Sequence, residues 1–394
     1  MIMSLNGKEM WRKAMKKTVK IIMILSVMLG AAFIFGQSVQ AKNITVSPSG
    51  EKASGTVYST DYSRIKNALY DIDKAGGGTL TLKSGTYYVT NTLCVGSKTT
   101  IKFEKNVTLN KVFGSDTSST LFQLISFDKV FGTDEVSGYK GEHNIHFKGN
   151  GTVFNMNNKN NGSTMAICVV MANNANVSFE GITFENVKKG HLVEMDGCKN
   201  VSFNKCTFKN MADNSKHNKE AINLDTNDDW TGGFSQEWSK ADKTPNTKIT
   251  VSNCTFNNLV RAMGTHRYSG GKYHTNIKFI NNKCNKVMSP LGMLNWRKVI
   301  VKNNTFSNGK ANKRYNYNFL MAGVKKVTFT KNKLINMKSK ETIKYYAKYK
   351  IDGDVYKATK SKLTKKEIKL LKKNKAKKGT KKKFIIGKKK YKFK

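Results

Sequence analysis

Three short segments combine residue types that can hold a cation, move a proton or grip an acidic sugar. They are His191-Leu-Val-Glu-Met-Asp196, Glu220-Ala-Ile-Asn-Leu-Asp225 and Arg261-Ala-Met-Gly-Thr-His266. Each alternates apolar and polar positions, as a strand with one buried face does. With Val193, Met195, Ile222, Leu224, Met263 and Thr265 pointing inward, Glu194, Asp196, Asn223, Asp225, Gly264 and His266 share the other face. Parallel neighbours lie about 4.8 Å apart. Asp196, Asp225 and His266 then form one column, with Glu194 beside it. A fourth segment, Pro290 to Asn295, aligns less well and leaves Asn295 one place off. Carboxylates this close repel unless a proton or a cation lies between them. Such a pair serves glycosidic cleavage as acid and base; with a further carboxylate it serves Ca²⁺ equally well. The plain alternative is a solvent-facing sheet whose acids pair with Lys, because the same face turns apolar at Leu320 and Ala322.

What would bring these segments together is a repeat. Six copies of one phrase run from Asn176 to Met337: NVSFEGITFEN, NVSFNKCTFKN, KITVSNCTFNN, NIKFINNKCNK, KVIVKNNTFSN and KVTFTKNKLIN. Their apolar anchors are Val177, Val201, Ile249, Ile277, Val299 and Val327, at steps of 24, 48, 28, 22 and 28 residues. A unit of that length with strand alternation cannot bury a face alone, so units must stack. One column reads Phe184, Phe208, Phe256, Cys284, Phe306, Leu334 and belongs to a core. Another reads Asn186, Asn210, Asn258, Lys286, Asn308, Asn336 and marks a turn, since asparagine tolerates left-handed backbone. The double step of 48 is one coil plus an insertion over 211–247, long enough to be functional. It carries Trp230 and Trp238, whose rings either stack on sugars or pack the insertion down.

Upstream, Asp61-Tyr62-Ser63 can cap a helix over 61–75, ended by Gly76-Gly77-Gly78. Short strands follow at Thr79–Leu82, Thr86–Val89, Thr92–Val95, Thr99–Phe103 and Asn106–Val112. This order of helix, GGGTLTLKSGTYYV and TIKFEKNVTL, ahead of six repeats, resembles the pectate lyase-like superfamily. The resemblance covers roughly residues 44–337. It implies an all-β fold, a single-stranded right-handed parallel β-helix with an N-terminal capping helix.

Pectate lyases on this fold place acidic calcium ligands on successive coils and abstract a proton with Arg or Lys. On that pattern Glu194, Asp196 and Asp225 resemble the ligand set, and Arg261 or Arg267 the base, with Ca²⁺ as cofactor. Polygalacturonases use aspartates on adjacent coils followed by a histidine. Asp196, Asp225 and Gly264-Thr265-His266 echo that order, with Asp225 as acid and Asp196 activating water. The literal Asn-Thr-Asp and Gly-His-Gly strings are absent. Glu220, His274, Asn295, Trp230 and Trp238 are the substrate contacts expected around the column. The resemblance therefore implies cleavage of a uronic-acid polysaccharide, by β-elimination slightly ahead of hydrolysis. A non-catalytic surface adhesin is the competing class.

Charge and address agree with an anionic partner outside the cell. The net charge is +44. Residues 338–394 contribute +20 and residues 42–337 about +19, so the body is basic in its own right. Such a surface attracts polyanions. Lys16, Lys17 and Lys20 precede an apolar run from Ile21 to Phe35, and Val39-Gln40-Ala41 suits cleavage. Residues 1–41 therefore read as a signal peptide, with Met1 or Met15 as the start, and with no membrane span left after cleavage. The Lys-rich extension 338–394 reads either as a solvated tail or as an anchor to an anionic cell-wall polymer. Nucleic acid is not expected as a partner, and a monomer is. Of six cysteines, Cys206 and Cys254 fall in the slot of Ile182 and read as small core residues, with a disulfide between them left open. The zinc spacings, phosphate-binding loops and nucleophile elbow of other enzyme classes are absent from the sequence.

Overall fold

The computed structural model describes residues 40–53, 58–130, 132, 136–157, 165–211, 220–227, 238–265, 272–311, 316–347 and 361–394. Residues 42–394 form one compact unit. Residues 1–39 of the expected signal peptide, His266, Arg267 and Trp230 lie outside the described residues.

The described chain winds as a right-handed parallel β-helix. Each full coil contributes three short strands. The first two add to an array of 18 strands among the described residues, and the third adds to a sheet of nine. Lys199–Asn204, Thr207–Met211 and Glu220–Asp225 make one such coil. The register is the one the repeat demands. Val177 pairs with Val201, Val201 with Ile249, Ile249 with Ile277, Ile277 with Val299 and Val299 with Val327. In the core, Phe184 stacks on Phe208 and Phe208 on Phe256, each pair 4.9 Å between ring centroids with the rings nearly parallel. Burying a phenylalanine contributes about 2–3 kcal/mol, and the stack repeats that at successive coils.

The asparagine column is a turn in each coil. Asn186, Asn210, Asn258, Asn308 and Asn336, with Lys286 in line, all have φ between 53° and 66°. Their amides also bond along the stack, as from Asn336 Nδ2 to Asn308 Oδ1 at 2.9 Å. A second asparagine ladder runs inside the turns. Asn282, Asn304, Asn332 and Asn374 are buried, and the backbone N–H of each of the first three donates to the amide oxygen of the next at 2.8–2.9 Å. They continue the slot of Ile182, Cys206 and Cys254. The six cysteines are free thiols, with no bridge between Cys206 and Cys254.

The boundaries need four corrections. The helix, α1, spans Thr60–Lys74, and its N-cap is Ser59, whose hydroxyl accepts from the Tyr62 N–H. Asp61, expected to cap it, instead accepts the Ser49 and Tyr88 N–H groups at 2.7 and 2.8 Å and ties the helix to the first coils. A strand before the helix, Lys42–Val46, pairs with Gly78–Leu82 and was not foreseen. The insertion 211–247 is not continuous, because Glu220–Asp225 within it is the third strand of its coil. Lastly, the solenoid does not end at 337. Glu341–Tyr346 pairs with Tyr317–Ala322, and Lys375–Ala376 with Lys333–Ile335. The described part of the extension is therefore the last coil and its cap, not a loose tail. It holds helix α2, Lys365–Lys372, and a hairpin of Lys383–Ile386 with Lys389–Lys392.

Candidate functional site

The nine-strand sheet carries the column read from the sequence. Glu194 pairs with Asn223 and Asp196 with Asp225, while Val193 and Met195 face Ile222 and Leu224 in the core. Ligand atoms of Glu194, Asp196 and Asp225 all lie within 4.8 Å of one another. All three are buried. The reason is local: each strand puts its apolar residues inward, and the pleat leaves these acids on the other face.

Polar neighbours fix the cluster. Asn223 Nδ2 donates to Glu194 Oε1 at 2.6 Å and to Asp225 Oδ2 at 3.1 Å. On the far side of Glu194 stands His191. Its Nδ1 lies 2.8 Å from the Glu220 carbonyl oxygen, which can only accept, so Nδ1 carries a proton. Its Nε2 faces Glu194 Oε2 at 3.3 Å. That contact is an ion pair when the imidazole carries both protons. Neither His191 nor Asn223 was singled out from the sequence. Asn223 already stood on the polar face beside Asp225, whereas strict alternation puts His191 inward with Val193 and Met195; two successive core residues, Leu192 and Val193, break that alternation and bring His191 to Glu194.

One cation is built in above the acids. Arg261 Nη1 lies 2.6 Å from Glu220 Oε1, and both side chains are buried. Gly264 and Gly292, paired in register on the next two coils, leave the room for it. A β-carbon at Gly264 would sit 2.7 Å from Arg261 Cδ, and one at Gly292 would sit 2.7 Å from Arg261 Nη1. A buried guanidinium held by a carboxylate keeps its proton. Arg261 is thus a fixed positive charge and is poorly suited to act as the expected base.

Three expected substrate contacts fall elsewhere. Trp238 is 1% exposed and packs with Ile125, Val170 and Ala172, so its ring holds the insertion onto the solenoid and has no face free for a sugar. His274 is fully buried at the start of strand His274–Ile280, and its Nδ1 accepts the Asn246 N–H at 3.0 Å. Burial pushes its pKa down to about 4, against the pull of the Asp225 charge. It is a neutral core group, not a rim residue. Asn295 is buried in left-handed backbone one place beyond the column, where Leu294 pairs with Ala322. Glu220, the fourth, is placed by the structure as the partner of Arg261.

Oxygen donors of this kind suit a hard divalent cation such as Ca²⁺. Two of the Glu194 contacts are already taken, by Asn223 and His191, so any such ion would compete with the imidazole for that carboxylate.

Comparison with known proteins agrees with the fold. The profile of glycosyl hydrolases family 28 matches residues 80–230, a stretch that includes Glu194, Asp196 and Asp225. A sequence relative, plasmin and fibronectin-binding protein A of Streptococcus pneumoniae (strain ATCC BAA-255 / R6), is 25% identical over 284 residues. That match covers 62% of this chain and 38% of the relative's length. A solved structure of the S. pneumoniae surface protein and adhesin PfbA superposes with a TM-score of 0.60 at 21% identity, covering 75% of this chain and 79% of that one. The endo-xylogalacturonan hydrolase of Aspergillus tubingensis superposes with a TM-score of 0.52 at 15% identity, covering 79% of each chain. The architecture is that of the pectate lyase-like right-handed β-helix superfamily.

Proposed function

We propose that this is an exported glycoside hydrolase that cleaves an acidic, uronic-acid-containing polysaccharide at the Glu194–Asp196–Asp225 column. The observation that carries it is the register, which stacks Asp196 on Asp225 and adds Glu194 within 4.8 Å. Asp225 acts as the acid that protonates the leaving oxygen, and Asp196 is the second carboxylate of the pair. Asn223 orients both Glu194 and Asp225. Arg261, locked by Glu220, supplies the charge that a uronate carboxylate requires nearby. The same locking favours hydrolysis over β-elimination, which needs a base where Arg261 is a permanent cation. The partial family match, over residues that include all three acids, supports the same choice. Glu194, Asp196 and Asp225 are also the residues that would hold Ca²⁺, which when bound neutralises negative charge on the substrate.

A second reading is favoured by one specific finding, the likeness to a pneumococcal surface adhesin. In that reading the solenoid is a binding platform and the acids are structural. Incubation with polygalacturonate, alginate and glycosaminoglycans, with calcium or with chelator, separates the readings. Hydrolysis releases reducing ends without unsaturated uronate absorbance. Both signals together mean elimination. Binding with neither means a platform.

A further inference from the structure

Between Ser361 and Lys394 the chain carries 17 lysines, no arginine and one acid. All 17 lysines are exposed. The acid, Glu367, is buried and committed to the fold. Its Oε1 accepts the Val327 N–H at 2.7 Å, and its Oε2 accepts the Thr364 N–H at 2.6 Å and the Thr364 hydroxyl at 2.8 Å. Among the described residues, none of the ion pairs involves these lysines.

A loose tail would let such charges spread apart, but this segment is held. Asn374 ends the buried ladder, taking the Asn332 N–H at 2.9 Å and giving its own amide to the Phe329 carbonyl at 3.0 Å. The hairpin turns Phe384, Ile386 and Phe393 inward, with Phe384 and Phe393 stacked at 4.5 Å. Strand pairing then sets Lys383 opposite Lys392, and at the seam with the solenoid it sets Lys333 beside Lys375. Like charges directly opposite destabilise a sheet. The cap therefore holds a lysine array that its own stability does not call for, and an external polyanion would relieve the repulsion by displacing bound counterions.

The geometry points to this C-terminal cap as a docking surface for a linear carboxylate polysaccharide, separate from the acidic column. It rests on the proposed substrate class for the identity of the polyanion. Lysine ammonium groups are point charges without the bidentate fork of arginine, so the cap offers charge rather than recognition of one planar group, which suits a polyanion whose charges are spread along a flexible chain. Cap and column lie on one compact unit. A chain held at the cap raises its own effective concentration at the column.

The test compares two triple variants that lose equal charge. One is Lys383→Gln/Lys390→Gln/Lys392→Gln on the cap. The other is Lys102→Gln/Lys105→Gln/Lys148→Gln, exposed on early coils. Binding is measured by calorimetry against sodium polygalacturonate, inorganic polyphosphate and duplex DNA, over a salt series, in chains carrying Asp225→Asn to suppress cleavage. The cap variant is expected to lose about tenfold in polygalacturonate affinity with a flatter salt dependence, and the control less than about twofold. Equal losses in both variants would overturn the proposal, as would no binding by the parent chain. So would tighter binding of polyphosphate or DNA that the cap variant alone loses, which would mark a phosphate surface. Cleavage of short oligogalacturonides by the cap variant, in the Asp225 background, reports separately on the column. Loss of docking with cleavage intact, or the reverse, tells which of the two readings has failed.

Discussion

The two sheets of the solenoid treat equivalent positions differently. On the 18-strand array, inward places keep their type from coil to coil: Phe184, Phe208 and Phe256 stack in register, and the turn asparagines repeat the same φ. On the outward face of the nine-strand sheet the type changes at most steps. One column reads Val170, Glu194, Asn223, Gly264, Gly292, Leu320, and the next includes Ala172, Asp196 and Asp225. Stacking energy rewards identity between neighbours, because like rings and like amides fit one another coil after coil. A run that abandons identity forgoes that gain, and here it places three acids together in a buried setting. Regularity marks the scaffold, and its interruption marks the candidate site.

Substitutions on the two sheets should therefore fail in opposite ways. Asp225→Asn should lower the cleavage rate by about 10³-fold, equivalent to about 4 kcal/mol, while leaving the urea midpoint unchanged or raised, since an amide replaces one of three crowded buried carboxyl groups. A parallel loss of stability would make the column structural and blur the contrast. Asn304→Ala, on the scaffold side, should cost about 3 kcal/mol in unfolding free energy with normal activity per folded molecule. It strips the Asn282 N–H of its acceptor and breaks the bond to the Phe279 carbonyl.

The two sheets also meet at one titrating group. His274 begins a strand of the large array, yet it feels the charge of Asp225. Its folded pKa is depressed to about 4, so the unfolded chain takes up a proton at a pH where the folded chain does not. Stability from this group is complete above its unfolded pKa of about 6.5 and is lost as pH falls toward 4, about 2.5 kcal/mol by pH 4.5. Urea unfolding at both pH values should show that loss, and His274→Gln should remove it. The smallest effect belongs to the turn column. Lys286 holds φ 53° where its neighbours are asparagine. Lys286→Asn should stabilise by about 0.5 kcal/mol in the same assay, without change in activity.

Much of this contrast was legible from the residues. Fixed spacing revealed the anchors, the Phe and Asn columns and the inward set of each third strand, because parallel stacking converts spacing into contact. The pairing of Asp196 with Asp225 followed from the same rule. What stayed hidden depended on side-chain direction or on neighbours remote in the chain. Asn282, Asn304 and Asn332 occupy the slot of Ile182, yet an asparagine in a turn gives no hint that it faces inward to bond the next coil. Trp238 could equally have stacked on sugar or packed on Val170, and nothing local decides between a free and a covered ring. Arg261 promised a base until its contact with Glu220, 41 residues earlier, turned it into a fixed charge. The lysine-rich end concealed a folded coil because its composition resembles a disordered tail, while Asn374, Phe384 and Phe393 supply the few anchors it needs.

The central claim is that the break in the columns is where a polysaccharide is cut. The most direct measurement is the initial rate of reducing-end release from polygalacturonate by the parent chain, Asp196→Asn and Asp225→Asn at equal folded concentration. The account predicts release by the parent without unsaturated products, and a fall of about 10³-fold in each variant. Equal rates in all three chains would place the chemistry elsewhere and contradict it.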